Sequence, residues 1–195
     1  MNDPFGYSKY AVRKRFFNFF NTWFRIVGPD DQVVFTSKLK AFKLKEDIRV
    51  FAADKQTEML RISARQILDF GATYDVVDAR SGEKLGALRR KGLKSIFKDE
   101  WLILNAAEQE VGMIQEDSGW LAFLRRFLGG IVNLFTPQRH LGQVGGAPVL
   151  EFQQTRNPFI TKTYLDFSMD TTGTMDRRLG IAASVLFAAI EGKQG

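Results

Sequence analysis

Near its C-terminus the chain reads LGIAASVLFAAIEG, residues 179–192. From Leu179 to Ile190 it carries no charge, and Ser184 is its only hydroxyl. That run is 12 residues long, whereas crossing the hydrocarbon core of a bilayer takes roughly 20. A helix apolar on every side and too short to span lipid belongs inside protein. Its flanks read as helix ends. Asp170 or Thr174 can cap the start, Asp176 suits the positive end of the dipole, and Gly192 suits the left-handed stop position. The sequence therefore places a central helix over residues 176–191, and the rest of the chain has to enclose it.

Most of the rest reads as strands and turns. In Ile48-Arg-Val-Phe-Ala-Ala, the residues Ile48, Val50 and Ala52 share a face, as do Leu60 and Ile62 in the next stretch. Further strands are expected at Tyr74–Asp78, Lys84–Arg90, Trp101–Asn105, Glu110–Glu116, Gln138–Gln143, Pro148–Gln153 and Phe159–Ser168, with polar turns between them. Leu121, Leu124, Phe127 and Leu128 fall at helical spacing, so Trp120–Leu128 reads as a short helix. A weak internal repeat runs through this region. Lys45-Glu-Asp-Ile-Arg-Val resembles Lys98-Asp-Glu-Trp-Leu-Ile at an offset of 53 residues, and each is preceded by a basic strand. A meander used twice and then more loosely a third time suits a many-stranded antiparallel sheet. A sheet of about a dozen strands has exposed edges unless it closes, and a closed barrel that wide is not filled by its own side chains. Placing the apolar helix inside solves both problems. The expected fold is mainly β: a closed antiparallel barrel of about twelve strands enclosing a hydrophobic C-terminal helix, as one domain over residues 1–195 with 1–9 a flexible tail.

Composition narrows the chemistry. The 195 residues contain no cysteine and one histidine, His140. This excludes disulfides, thiolate zinc sites, iron–sulfur clusters and multi-histidine metal centres, and leaves little room for a histidine-based triad. The interrupted aromatic opening, residues 5–24, does not read as a secretory signal. The Gly142-Gln-Val-Gly145-Gly146 run lacks the spacing of a dinucleotide fingerprint and reads as a turn. Asp75, Asp78 and Glu83 read as groups that solvate a hairpin. No enzyme motif is present, and the expectation is a non-catalytic protein.

The order of features resembles the tubby C-terminal-like superfamily, which includes the phospholipid scramblases and the plant LURP-one-related proteins. The residues that carry the resemblance begin with Tyr74-Asp-Val-Val-Asp-Ala-Arg-Ser-Gly-Glu-Lys-Leu-Gly, Leu88-Arg-Arg-Lys-Gly-Leu-Lys-Ser and Asp99-Glu-Trp101. They continue with Gly112-Met-Ile-Gln-Glu-Asp, Tyr164-Leu-Asp-Phe-Ser and the closing helix after Asp176-Arg-Arg. The resemblance implies a twelve-stranded barrel around a central C-terminal helix. It also implies a basic binding surface, since tubby relatives bind phosphoinositides in a basic pocket. In scramblase relatives a calcium-binding segment is proposed before the last helix, where this chain has Asp166, Asp170 and Asp176. Those carboxylates serve capping and turn formation equally well.

The net charge is +6, which favours anionic partners. The basic residues concentrate in two strands, as Lys38, Lys40 and Lys43 in one and Arg89, Arg90, Lys91 and Lys94 in the other. If the repeat holds, related strands carry both sets, and a shared positive surface would take phosphates. The expected function is binding of anionic phospholipid headgroups by a cytoplasmic protein peripheral to the inner membrane face. The alternatives are nucleic-acid binding, a protein-interaction scaffold and, more boldly, scramblase activity.

Overall fold

The computed structural model describes residues 3–18, 21–40, 47–65, 72–91, 100–116, 138–155 and 162–191. Twelve strands succeed one another: β1 (Lys9–Asn18), β2 (Asn21–Val27), β3 (Val33–Lys40), β4 (Asp47–Ala52), β5 (Glu58–Ala64), β6 (Thr73–Asp78), β7 (Lys84–Arg90), β8 (Glu100–Asn105), β9 (Glu110–Glu116), β10 (Gln138–Val144), β11 (Ala147–Thr155) and β12 (Lys162–Asp166). Each pairs antiparallel with its sequence neighbours, and β12 pairs with β1, which closes the barrel. One helix, α1 (Arg177–Glu191), follows. Closure leaves no unpaired sheet edge.

The period-two alternation decides which side chains enter. Along β6, Tyr74, Val76 and Asp78 are buried while Thr73, Asp75 and Val77 are half-buried on the outer side. Along β4, Ile48 and Val50 point in and Arg49 points out. The inward residues of the strands and the sides of α1 form one cluster, with Ile181, Ala182, Ala183, Val185 and Leu186 fully enclosed. The Ser184 hydroxyl, the helix's one polar side-chain group inside, donates to the Ile181 carbonyl at 2.7 Å and so needs no partner from the barrel.

One pair of strands keeps the offset of the sequence repeat. β4 and β8 share both bounds at an offset of 53 residues and stand four strands apart in the closed order. The turn at Gly145-Gly146 has φ of 59° and 82°, the left-handed values that a tight hairpin needs. The expected Trp120–Leu128 helix lies outside the described residues, as do Lys43 and Lys94.

The helix enters the barrel at the rim where the strand connections are short. The capping arrangement there differs from the sequence reading. Asp176 is the cap: its carboxylate accepts the Arg178 N–H at 2.9 Å, and its carbonyl accepts the Leu179 N–H. Asp170 holds the preceding turn, accepting the Thr174 and Met175 N–H groups. Asp78, expected to solvate a hairpin, is buried instead. Its even-numbered place in β6 turns it inward, where Arg178 reaches it at 2.9 Å and its other oxygen accepts the Arg80 N–H. Burial opposes its ionisation, but these hydrogen bonds outweigh that and hold its carboxyl below the usual value. Residues 3–8, read from sequence as part of a tail, cross this rim. Phe5 is buried against Phe35, and the Gly6 and Tyr7 carbonyls accept from Arg177.

Candidate functional site

With α1 filling the interior, the outer wall and the rims carry the groups that meet other molecules. Lys38 stands near the end of β3, outward and exposed. Its ammonium lies 5.2 Å from the centre of the Trp23 ring on β2, a cation–π contact between residues directly paired in register. Lys40 closes β3; nothing further is described of its side chain. Arg89 also points outward, from β7, toward the Thr73 hydroxyl at 3.4 Å. Arg90 alternates to the inner face and pairs in register with Trp101, whose ring packs on Phe187 of α1. Lys91 is exposed and lies 3.5 Å from Glu100.

The repeat relates the two basic strands and also separates them. β3 and β7 are four steps apart in a closed ring of twelve, a third of the way around. Lys38 and Arg89 therefore face different directions, and Arg90 lies on the opposite face of the sheet from Arg89.

The register assembles a different basic group. Trp23 pairs with Lys38, Lys38 with Arg49, and Arg49 with Arg61, in one row across β2, β3, β4 and β5. Three interstrand steps of about 4.8 Å make that row roughly 14 Å long. The adjacent row holds Arg25, Thr36 and Phe51, also directly paired. Arg49 is 2.8 Å from Asp47 and 3.4 Å from Glu58, while Arg61 is 3.0 Å from Glu58. The Asp47 hydrogen bond holds the Arg49 guanidinium above its ordinary value. Their side chains stay 47% and 48% exposed, so both heads still face solvent.

Charge is uneven around the described wall. β2–β5 present Arg25, Lys38, Arg49 and Arg61 outward against Asp47 and Glu58, an excess of two positive charges. Around β6–β9, Lys84, Arg89, Lys91 and Arg65 stand against Asp75, Glu100, Glu108 and Glu110, so the charges there balance. Lys84 is further committed to Asp75 and Glu108, in a cluster that Arg65 joins. Composition did not single out Arg49 and Arg61, because each is a lone cation within an apolar strand. Their signal is the alternation Ile48-Arg49-Val50 and Leu60-Arg61-Ile62, and only the register lines them up with Lys38.

The three aspartates proposed for calcium each have a protein partner. Asp166 accepts the Ser168 N–H at 2.8 Å and pairs with Lys9 at 3.0 Å. Burial opposes its ionisation, yet those partners hold its carboxyl below the ordinary value. Asp170 serves the turn, and Asp176 caps α1 and clamps Arg178 at 2.7 Å. Among the described residues no group of three or more His, Cys, Asp or Glu side chains converges on one metal position. The donor set does not fit a calcium ion.

A closed barrel of twelve antiparallel strands around a C-terminal helix is the architecture of the tubby-like superfamily. Residues 33–129, which begin at β3 and extend past β9, match the family model described as LURP-one-related. Residues 33–129 of the chain belong to the LURP-one-related family. No curated protein and no solved structure matches it. Within the LURP-one-related match lie Lys38, Arg49 and Arg61; Trp23 and Arg25 precede it, and the closing strands and α1 follow it. No described helix is long and apolar enough to cross a membrane.

Proposed function

We propose that this LURP-one-related protein is a non-catalytic binding module for anionic phospholipid headgroups, acting at the inner face of a membrane. One observation carries the reading: an exposed lysine laid over an outward aromatic ring, Lys38 on Trp23, within an outer wall of excess positive charge. Cations draw the protein to anionic lipid at about 1 kcal/mol each near the surface, and an amphipathic aromatic side chain suits the headgroup level. The proposed ligand residues are Lys38 and Lys40 on β3, with Arg89, Arg90 and Lys91 at the end of β7 as a separate basic group; Lys43 and Lys94 lie outside the described residues. The test is co-sedimentation with vesicles of neutral lipid alone and of neutral lipid with about one third phosphatidylserine. Binding to the anionic vesicles that weakens steeply with salt is expected. Equal recovery with both at low salt overturns the reading.

A further inference from the structure

The geometry points to the outer wall of β2–β5 as the surface that lies against an anionic membrane, with Lys38, Arg49, Arg61 and Arg25 as its cations and Trp23 and Phe51 as its interfacial anchors. This rests on the lipid-binding reading and adds which side of the barrel faces the bilayer and which residues hold it.

Three observations converge. First, the strands of this wall hold a positive excess, whereas the charges around β6–β9 balance, so an anionic plane is drawn more strongly to β2–β5. Secondly, the wall alternates charge with aromatic surface. The Trp23–Lys38–Arg49–Arg61 row lies beside the Arg25–Thr36–Phe51 row, and Trp23 and Phe51 are both half-buried on the outer side. That mixture is what the headgroup boundary accommodates: aromatic bodies at the interface and cationic heads at the phosphates. Thirdly, the Thr36 hydroxyl sits buried in this wall without a hydrogen-bond partner. It stands between Arg25 and Phe51 in the second row.

The same geometry favours a membrane over a nucleic acid. Single-stranded nucleic acid is bound in grooves that track the backbone, with bases stacked on free aromatic faces. Here the surface is the outside of a barrel, convex around its axis, and the Lys38 ammonium already occupies a face of Trp23. A convex wall meets a plane along a strip, and the cation row of roughly 14 Å fits such a strip.

Two triple variants of the full chain test this, Lys38→Gln/Arg49→Gln/Arg61→Gln on the wall and Lys9→Gln/Lys84→Gln/Lys162→Gln elsewhere. They remove the same net charge. Both are first compared with the parent for a cooperative melt, and then for binding to vesicles with one third phosphatidylserine. The wall variant is expected to lose at least ten-fold in apparent affinity, since about 1 kcal/mol per cation is about five-fold. The other is expected to stay within two- to three-fold. Trp23→Ala, read in parallel, should remove a part of the binding that persists at high salt. Equal losses in the two triple variants overturn the wall assignment and leave the lipid reading standing, because net charge alone is then what binds. A parent that does not distinguish anionic from neutral vesicles removes both. So does retention of a single-stranded oligonucleotide in place of vesicles, which assigns the wall to nucleic acid.

Discussion

Gly180 sits in the first turn of α1, and an alanine there would tell how tightly the helix is seated. Judged by helix propensity alone, Gly180→Ala should stabilise by about 1 kcal/mol. The surroundings say otherwise. A Cβ built on Gly180 falls 2.4 Å from Phe167 Cζ and 2.6 Å from Cε1. Comfortable carbon contacts are about 3.5–4.0 Å, so the ring must retreat by about 1 Å. Phe167 has little room to do so. It is 1% exposed, with the Tyr10 ring edge-on at 6.3 Å and the Arg177 guanidinium 5.5 Å over its face. Overpacking of a filled core costs about 1–3 kcal/mol. Taking a mid-range overpacking cost of about 2 kcal/mol against the propensity gain of about 1 kcal/mol, a net loss of about 1 kcal/mol is expected. Urea unfolding measures it, read as a lower midpoint at unchanged slope. Phe167→Leu in the Gly180→Ala background should cost less than Phe167→Leu alone, because the smaller side chain relieves the contact and the two changes couple. A Gly180→Ala variant as stable as the parent, or more stable, refutes the packing of α1 against Phe167.

Other consequences can be checked together. Deleting everything after Arg178 removes the barrel's filling, and the product should be insoluble or lack a cooperative melt; a soluble, cooperatively melting truncation counts against the enclosed helix. Asp78→Asn weakens the link to Arg178 across the entry rim, and a loss of about 1–3 kcal/mol is expected by denaturant unfolding. Glu108 is held down to about 2 by its hydrogen bonds from Arg65 and Lys84, so folding favours its ionised form. Its contribution is present above the ordinary carboxylate value and is lost as pH falls from about 4.5 toward 2. Glu108→Gln should therefore flatten the acid limb of a stability–pH curve in that window and leave the neutral region's slope unchanged. Burial pushes the Tyr10 hydroxyl up to about 12, against hydrogen bonding from the Tyr7 N–H; it donates to the Pro4 carbonyl at 2.9 Å. The neutral phenol is the form the fold favours, so this contribution holds below pH 10 and fades as pH rises from 10 to 12. Tyr10→Phe should lose that alkaline slope.

The fold was legible because its signals are local or periodic. An uncharged run of 12 residues requires burial, and the 53-residue offset between β4 and β8 follows from composition repeated along the chain. Pairing register, in contrast, depends on turn geometry and bulges. A bulge between Val50 and Phe51 sets how β4 meets β5, and thereby brings Arg49 opposite Arg61. No count of lysines and arginines contains that. The expectation of a basic surface followed clusters in sequence, while the barrel groups charges across strands. The burial of Asp78 is hidden from the sequence for a related reason. Its partner Arg178 lies 100 residues away, so a hairpin seen alone offers only solvent.

The enclosed helix is the claim on which the rest depends, and a chain without cysteine permits a clean test of it. Val185→Cys places one thiol at a fully buried position midway along α1. Its reaction with an excess of a thiol reagent is followed in native buffer and across a urea series. The account predicts that the thiol is protected and reacts only as fast as the whole protein unfolds. Rapid labelling under native conditions, in protein that still melts cooperatively, would show that the helix is not enclosed by the strands.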